Sequence, residues 1–297
     1  WTPAATNTAN SRKLQEGSRC VAGTRLAQQV NLVWTDTACY LMQSITSNSV
    51  YSTRVVGTAC GLIAPGAFAV VKGIAYWMSG GTFYYYNGAV ERIPNAHEVE
   101  AVFAEMNPLQ KSKINCHFNE EFREIWWTYP STSASEPDRY VMVSVENWSW
   151  VTGTMDRTAW GIRTITGVTE ILGVDDGGRI YKHETGLNDA DGGAIAWHVE
   201  TAYLDLDEGN VSLNIDGYVP DMQRHAGDIT VTFTSLEYPE DATTLDTVED
   251  TLAVGDTIMD LRMFGRQVKL KLSQDAVDGD FRLGAQRIEV GPTGKRR

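Results

Sequence analysis

Carboxylates at turns are the residues of this sequence whose type and spacing could do chemistry. Carboxylate oxygens are the ligands that calcium prefers. Acidic groups of this kind occur at Asp175-Asp176, at Asp189 with Asp191, and at Asp205 with Asp207-Glu208. None has the full spacing of an EF-hand loop, and acidic turns without metal are common. The pattern favours solvated turns over a calcium site, and no metal ligand is predicted.

Histidine and cysteine spacing also gives no metal motif. No two histidines stand at i, i+4 on a predicted helix, and no C-x-x-C pair occurs, so zinc is disfavoured. We predict free thiols that are buried as small apolar side chains in a protein made in the cytosol. The residues concerned are His97, His117, His183, His198 and His225, and Cys20, Cys39, Cys60 and Cys116.

Enzyme signatures are sparse. The sequence contains no G-x-S-x-G, P-loop or G-x-G-x-x-G motif. Residues 188–197, NDADGGAIAW, come close to the Asp-box of sialidase propellers, but the spacing to Trp197 is one residue too long and the motif does not recur. Paired carboxylates on a propeller are typical of glycoside hydrolases, and exposed aromatic rings stack on sugars. We predict no catalytic or cofactor-binding residue, and a carbohydrate-binding or glycoside-hydrolase propeller stays an alternative.

Length and charge limit the class of protein. A chain of 297 residues with 42% hydrophobic residues predicts two domains. Its apolar runs are shorter than the ~20 residues of a membrane-spanning helix, so none is predicted. The net charge of −13 argues against wrapping nucleic acid, which needs a basic face. An acidic wall would still let DNA slide past, although excess carboxylates also simply favour solubility.

Short β-strands dominate the first two thirds of the chain. In residues 121–160, aromatic and β-branched runs alternate with a long polar loop and a tight turn at Glu146-Asn147, and Arg157 and Trp160 mark the exit. Residues 29–56 predict a meander of three strands, and Gly80-Gly81 and Asn87-Gly88 predict hairpin turns in residues 67–94.

One short helix is predicted among these strands. Asn95 and Glu98 form a capping-box pattern, and Val99, Val102, Phe103 and Met106 recur at helical spacing. Repeated strand sets are typical of propeller blades. About three and a half sets fit between Gln29 and Gly186, fewer than a closed propeller needs. Either further blades complete the ring, in N-terminal sequence that this chain lacks, or the sets form an open pair of sheets; we favour the first.

Cleaner alternation follows the turn-rich residues 188–193. Residues 228–236 and 266–272 place apolar side chains on one face only, as a β-sandwich requires. In residues 194–204, Ile195, Trp197, Val199 and Tyr203 are predicted to point one way, and a bulge is predicted near Gln286. The sequence predicts an all-β protein: an N-terminal arm or loop over 1–25, propeller-like blades with one short helix over 26–190, and a C-terminal β-sandwich over 191–297.

An ordered run of segments resembles one family. NLVWTDTACYLMQ, VVGTACGLIAPGA, AYWMSGGTFYYYNGAVERIP and EIWWTYPS are followed by DRYVMVSVENWSWVTGTMDRTAW, RIYKHETGLNDADGGAIAWHVET, RMFGRQVKLKL and FRLGAQRIEVGPTGKR. In content and order these are similar to the tail nozzle proteins of short-tailed bacteriophages, also called tail tubular protein B, and to related virion structural proteins. The likeness runs from Leu26 onward. Family members are generally longer at the N-terminus.

The resemblance implies a structural role in the virion tail. It implies a homo-hexameric ring below the portal and adaptor, bounding the channel through which genomic DNA leaves without specific binding. Tail adaptor proteins and tail fibres or spikes are the implied partners, assembly takes place in the host cytoplasm, and no catalysis is expected. A closed ring needs different patches that meet on neighbouring subunits. Residues 131–138 and the arm before Leu26 are the predicted contacts. A different virion part, such as a capsid or adaptor component, is a further alternative.

Overall fold

The computed structural model describes residues 2, 11–45, 51–165, 168–207, 210–239 and 241–292. The chain divides into two compact units, Trp1–Glu184 and Thr185–Arg297. The predicted domain boundary, between residues 190 and 191, lies a few residues inside the second unit.

The first unit contains four small antiparallel sheets, here called blades 1 to 4. Within each blade, every strand pairs with the next strand along the chain. Blade 1 consists of β1 (Cys20–Ala27), β2 (Val30–Thr35), β3 (Ala38–Ser44) and β4 (Tyr51–Thr58). Blade 2 consists of β5 (Phe68–Val71), β6 (Ile74–Met78), β7 (Phe83–Tyr86) and β8 (Val90–Arg92). Blade 3 consists of β9 (Asn115–Asn119), β10 (Glu124–Tyr129), β11 (Arg139–Ser144) and β12 (Trp150–Thr154). Blade 4 has three strands, β13 (Ala159–Ile165), β14 (Val168–Val174) and β15 (Ile180–Lys182).

The predicted strand sets and turns of the first unit are confirmed. Gly80-Gly81 lies between β6 and β7, and Asn87-Gly88 lies between β7 and β8, where Gly88 has a φ of 124°. Blade 1 has one more strand than predicted, because β1 begins at Cys20 within the predicted arm. The prediction of an arm to residue 25 is therefore wrong over its last residues: Gly23 and Thr24 pair with Val33 and Leu32 of β2.

The predicted helix is shorter than expected. A 3₁₀ turn (Ala96–Val99) precedes α1 (Ala101–Glu105), and a second 3₁₀ turn (Lys111–Lys113) follows. The capping box is wrong, because Asn95 adopts a left-handed conformation with a φ of 57° and its side chain makes no cap hydrogen bond. The apolar spacing was informative, since Val99, Val102 and Met106 are buried.

Tryptophans from successive blades build the core of the first unit. Trp34, Trp77 and Trp127 are fully buried, and the rings of Trp34 and Trp77 meet edge to face at 5.6 Å. Buried indole N–H groups usually have an acceptor, which those of Trp77 and Trp127 do, whereas Trp34 Nε1 has none in the described residues. Trp77 Nε1 donates to Cys60 O at 2.8 Å, and Trp127 Nε1 donates to Ala67 O at 3.1 Å. Among the described residues, this core takes its members from blades 1 to 3 and the segments between them, and not from blade 4.

The second unit is a β-sandwich. One sheet has the order β16 (Trp197–Glu200), β23 (Gln267–Gln274), β20 (Ile229–Leu236) and β21 (Asp246–Leu252), with β17 (Leu204–Asp205) also on β23. The other has the order β22 (Met259–Gly265), β18 (Leu213–Val219) and β25 (Arg287–Pro292), and β19 (Met222–Ala226) pairs with β24 (Asp280–Leu283). Alternate residues of β20 and β22 are buried, and both sheets supply the second core.

Two predictions for the sandwich are wrong. Val199 is exposed because β16 is an edge strand of its sheet in the described structure, and Ile195, which precedes β16, is exposed as well. There is no bulge at Gln286. Instead the phase of alternation changes because the chain leaves β24 and enters β25 in a different sheet. The crossing is held by Gln286 Nε2, which donates to Asp221 O at 3.0 Å.

Candidate functional site

Blade 4 meets blade 3 through a row of stacked rings. The row consists of Tyr140, Trp126, His117, Trp160 and His183, and it is called the ring row below. Tyr140 stacks on Trp126 with centroids 4.6 Å apart, and His117 stacks on Trp160 at 3.8 Å and 17°. Trp126 and His117 are 5.9 Å apart, and Trp160 and His183 are 4.7 Å apart. These contacts join blade 4 to blade 3, whereas the buried hydrophobic core joins blades 1 to 3.

Burial keeps the two histidines of the ring row neutral. His117 is buried, and desolvation, with a further contribution from His183, lowers its pKa to about 3. Desolvation, followed by the charge of Arg157, lowers the pKa of His183 to about 4. The side chain of His117 also buries Nδ1 without a hydrogen-bond partner in the described structure. A neutral imidazole is therefore the form that fits this packing.

An arginine closes the end of the ring row. Arg157 Nε donates to His183 Nε2 at 2.9 Å, and its guanidinium lies 4.0 Å from the centre of the Tyr181 ring. The Tyr181 hydroxyl donates to Asp175 Oδ2 at 2.9 Å. A Cβ on Gly173 would lie 2.6 Å from Arg157 Cδ, so the missing side chain allows this approach. The prediction that Arg157 and Trp160 mark the exit to the next blade is confirmed, because the chain passes from blade 3 to blade 4 at these residues.

A cleft of about 540 Å³ lies at the same blade boundary, and it is called the glutamate cleft below. Phe118 of β9, Ile162 of β13 and Ile171 of β14 form its apolar part. Ile171 is buried, whereas Ile162 is 63% exposed. The cleft therefore offers apolar surface that nothing in the described chain covers.

Four carboxylates surround this apolar surface, namely Glu120, Glu121, Glu170 and Glu184. Hydrogen bonds from Arg163 and Lys182 lower the pKa of Glu170. Burial raises the pKa of Glu184, a hydrogen bond from Asn119 Nδ2 at 2.8 Å opposes this, and the charge of Glu121 adds to it. In the ranges that the structure describes, Glu120 and Glu121 form no ion pair. The cleft is therefore negative and attracts cationic or hydrogen-bond-donating groups.

Of the carboxylates named from the sequence, Asp175 and Asp189 serve as turn residues, whereas Asp205 lies at the end of β17. Asp175 accepts from the backbone N–H of Arg179 at 2.7 Å, and Asp189 Oδ1 accepts from the N–H of Gly193 at 2.7 Å. Asp205 Oδ1 accepts from Gln267 Nε2 at 2.6 Å. Glu208 lies outside the described residues. The described residues include no group of three or more His, Cys, Asp or Glu side chains that could hold a metal ion.

Trp197, at the end of the near Asp-box, packs inside its own unit. Its ring stacks on Phe281 at 3.7 Å, and its Nε1 donates to Gln274 Oε1 at 3.3 Å. Phe281 therefore covers one face of the Trp197 ring. A second cleft, of about 460 Å³, is lined by residues of blades 1 and 2 that include Asp36 and Tyr84. Asp36 accepts from Ser18 N at 2.8 Å, and the Tyr84 hydroxyl donates to Ala59 O at 3.1 Å, so both groups already bind the chain itself.

The cysteines are free, as predicted, but not all are buried. Cys39 and Cys60 are buried and Cys116 is partly buried, whereas Cys20 is exposed on the edge strand β1, which corrects the prediction for that residue. Burial raises the pKa of the Cys39 and Cys116 thiols. High thiol pKa values mean low reactivity.

The polar loop 131–138, predicted as an assembly contact, is tied to the helical segment. Ser131 N donates to Asp138 Oδ1 at 2.7 Å, and Thr132 Oγ1 donates to Glu105 O at 2.8 Å. Lys113 Nζ donates to Ser135 O at 2.8 Å. The loop thus has a defined shape at the surface. Of the arm before Leu26, residues 3–10 lie outside the described part.

Comparisons with known proteins assign no family to this chain. A scan against protein-family models gives no match, and a search of curated proteins gives none. Among solved structures, an exo-β-1,3-galactanase from Phanerochaete chrysosporium in complex with β-1,3-galactotriose is similar over 88% of this chain and 78% of its own. The identity is 10% and the TM-score is 0.27, values at which the likeness carries no argument about this chain. In the described residues, no helix is long and apolar enough to cross a membrane.

Proposed function

We propose that the chain is a structural subunit of a bacteriophage tail, in the nozzle ring that bounds the DNA channel below the portal and adaptor. The observation that carries the proposal is the ordered run of segments from Leu26 onward that resembles tail nozzle proteins. Much of this run falls on the strands that fill both cores, among them β2, β6, β10 and β23. The resemblance therefore concerns residues that determine the fold.

The charge of the chain supports the same role. DNA that leaves a particle has to pass the wall without being held, and a surface with a net charge of −13 repels phosphates. Tight, sequence-independent DNA binding would need a basic face. An acidic ring subunit satisfies the requirement without a specific binding site.

A closed ring of identical subunits needs two different patches that fit each other. The loop 131–138 is suited to one of them, because its backbone is fixed by Asp138 and by contacts to Glu105 and Lys113 while its tip stays exposed. A fixed loop loses little conformational entropy when it docks.

Native mass measurement of the purified protein tests the ring. The mass of one chain is 32.8 kDa, and we expect a species with six times this mass. A Ser131→Asp variant places a second carboxylate against Asp138 and releases the loop, so smaller species should appear. A Thr2→Ala variant changes the arm before Leu26, which is the other predicted contact region, and the mass of its oligomer is compared with that of Ser131→Asp. A monomer at all concentrations, with or without the substitutions, contradicts the proposed ring.

A carbohydrate-active propeller is the second candidate, and the glutamate cleft favours it. Apolar surface flanked by carboxylates suits a sugar, whose faces are apolar and whose hydroxyls donate hydrogen bonds, and a raised pKa at Glu184 is a property of general acids. A glycan array with the parent protein and a Glu184→Gln variant tests it. Binding that the variant abolishes supports this candidate, and no binding by the parent protein rejects it.

A further inference from the structure

An exposed leucine lies on a fixed turn beside the loop 131–138. Leu109 is 87% exposed, the largest value among the large apolar side chains that the structure describes. Its backbone N–H donates to Asn107 Oδ1 at 3.0 Å, and Pro108 before it has a restricted φ. Asn107 is tied to the loop, because its Nδ2 donates to Ala134 O at 2.9 Å. The fold therefore holds the Leu109 side chain out into solvent on a backbone of defined shape.

Positive charge follows Leu109 in the next turn of the chain. Lys111 is exposed and forms no ion pair within the ranges that the structure describes. Lys113 has a different role, because it donates to Ser135 O at 2.8 Å and pairs with Glu136, and so holds the loop. Leu109 and Lys111 together are called the leucine knob below. The knob combines one apolar side chain with one cation that has no ion-pair partner in those ranges.

The glutamate cleft has the complementary properties. Phe118 and Ile162 give it apolar surface, and Glu120 and Glu121 are exposed among its lining residues. In the described part of the chain, neither of these two glutamates forms an ion pair. An apolar side chain with a neighbouring lysine therefore fits the cleft in both polarity and charge, whereas an acidic surface would be repelled.

The leucine knob and the glutamate cleft lie at opposite ends of β9 (Asn115–Asn119). The 3₁₀ turn that contains Lys111 precedes this strand, and Glu120 and Glu121 follow it. A strand rises about 3.3 Å per residue, so the length of β9 separates the two surfaces by about 16 Å. Leu109 therefore does not reach the cleft of its own chain. Two different patches of this kind make head-to-tail contacts, which close into a ring or continue as a filament.

We infer that the leucine knob of one copy of this chain docks in the glutamate cleft of a neighbouring copy. Leu109 packs on Phe118 and Ile162, and Lys111 faces the two exposed glutamates. The contact follows from the two surfaces, and it rests on the proposed function only for its closure into a ring. In a closed ring each subunit is held twice, once through its knob and once through its cleft.

Two variants that each remove one side of the contact test it. Leu109→Glu removes the knob and keeps the cleft, whereas Ile162→Lys removes the cleft and keeps the knob. Native mass measurement should find each variant alone as a monomer under conditions in which the parent protein assembles. An equimolar mixture, with one variant isotope-labelled, should give a mixed dimer and nothing larger, because one intact knob and one intact cleft remain.

Matched substitutions outside both surfaces are the controls. Val254→Glu and Ile180→Lys make comparable changes at side chains that are 57% and 69% exposed, and both variants should assemble like the parent protein. Leu109 and Ile162 are themselves exposed, so the fold should persist in the two test variants. The mixed dimer is an internal check, because only folded variants can complement each other.

Cross-linking locates the contact without any substitution. A carbodiimide joins lysines to carboxylates that lie against them, and a mixture of unlabelled and isotope-labelled protein distinguishes links between copies from links within one chain. We expect links from Lys111 to Glu120 or Glu121 between a labelled and an unlabelled copy. Their yield should fall as salt is added, because the pairing charges are exposed.

The possible failures of the contact and of the ring are distinguishable. A species of six times the subunit mass that persists in Leu109→Glu and Ile162→Lys overturns the contact and leaves the ring in place. A mixture of the two variants that stays monomeric, or the absence of links from Lys111 between copies, also overturns the contact. Chains that show these links but continue past six copies support the contact and contradict the closed ring. A parent protein that is monomeric at all concentrations overturns both.

Discussion

The ring of His117 lies 3.8 Å from the ring of Trp160, nearly parallel to it, and links blade 3 to blade 4, which supplies no described residue to the core of the first unit. His117 comes from β9 of blade 3 and Trp160 from β13 of blade 4. A second link is Asn115 Nδ2, which donates to Thr158 O at 2.7 Å. The attachment of blade 4 thus depends on a few aromatic and polar contacts.

Trp160→Ala is expected to destabilise the first unit. The substitution removes the ring that contacts both His117 and His183, and the loss should be about 2–3 kcal/mol, below the range for a fully buried tryptophan. Trp160→Phe keeps an aromatic ring and should cost less. Urea unfolding measures both, and Ile180→Ala, at a residue 69% exposed, is the matched control. Equal effects of Trp160→Ala and Ile180→Ala would contradict this role of the ring row.

Stability of the first unit should fall as the pH is lowered from about 6.5 to 5. The pKa values of His117 and His183 are about 3 and about 4 in the folded protein, against 6.5 as the ordinary value, so the unfolded chain takes up protons that the folded chain does not. The contribution of the two neutral histidines to stability is complete above pH 6.5. Below pH 6.5 the free energy of unfolding decreases by up to about 1.4 kcal/mol per pH unit for each histidine.

Carboxyls with raised pKa values, such as Glu124 and Glu184, oppose this trend between their raised pKa in the folded protein and their ordinary value of 4.5, because there the folded chain keeps protons that the unfolded chain has released. Urea titrations at several pH values measure the slope. His117→Phe keeps an aromatic ring but cannot titrate, so it should remove about half of the slope. An unchanged slope in this variant would show that the histidine is not the source.

Gly61→Ala is expected to destabilise blade 1 by about 1–3 kcal/mol, as overpacking does. A Cβ at this position would lie 2.3 Å from the backbone carbon and oxygen of Asp36, which cannot move without shifting the turn between β2 and β3. Gly80→Ala is the control, because nothing lies within 4 Å of its Cβ position. Thermal or urea unfolding compares them, and equal stability of the two variants would mean that this turn adapts freely.

Iodoacetamide should label Cys20 in the native protein and spare the other three thiols. Cys20 is exposed, whereas burial raises the pKa values of Cys39, Cys60 and Cys116 and shields them. Mass spectrometry of digested protein identifies the labelled residues, with urea-unfolded protein as the positive control. Rapid native labelling of Cys39 would show that blade 1 opens easily.

The local pattern of the sequence predicted most strands, because alternation and glycine turns act over a few residues. The strands of residues 121–160 and the alternation of β20 and β23 follow from it directly. The capping box failed because the left-handed backbone of Asn95 directs its side chain away from the helix start, which spacing does not show. The change of sheet at Gln286 shifts the phase of the apolar alternation, which is the same sequence pattern that a bulge produces.

The sites were harder to predict than the strands. Stacking of His117 on Trp160 joins separate strand sets, and no local spacing relates the two residues. The glutamate cleft combines Glu120 and Glu121 with Ile162 and Glu184 from another blade, so it depends on packing between blades.

Labelling of intact virions tests the central proposal most directly. On this proposal a phage encodes the chain, and its particles are purified, incubated with gold-labelled antibody raised against the chain, and imaged by electron microscopy. The proposal predicts gold at the tail below the portal, and mass spectrometry of the same particles should detect the chain. Particles that lack the chain, or gold over the capsid shell alone, would contradict it.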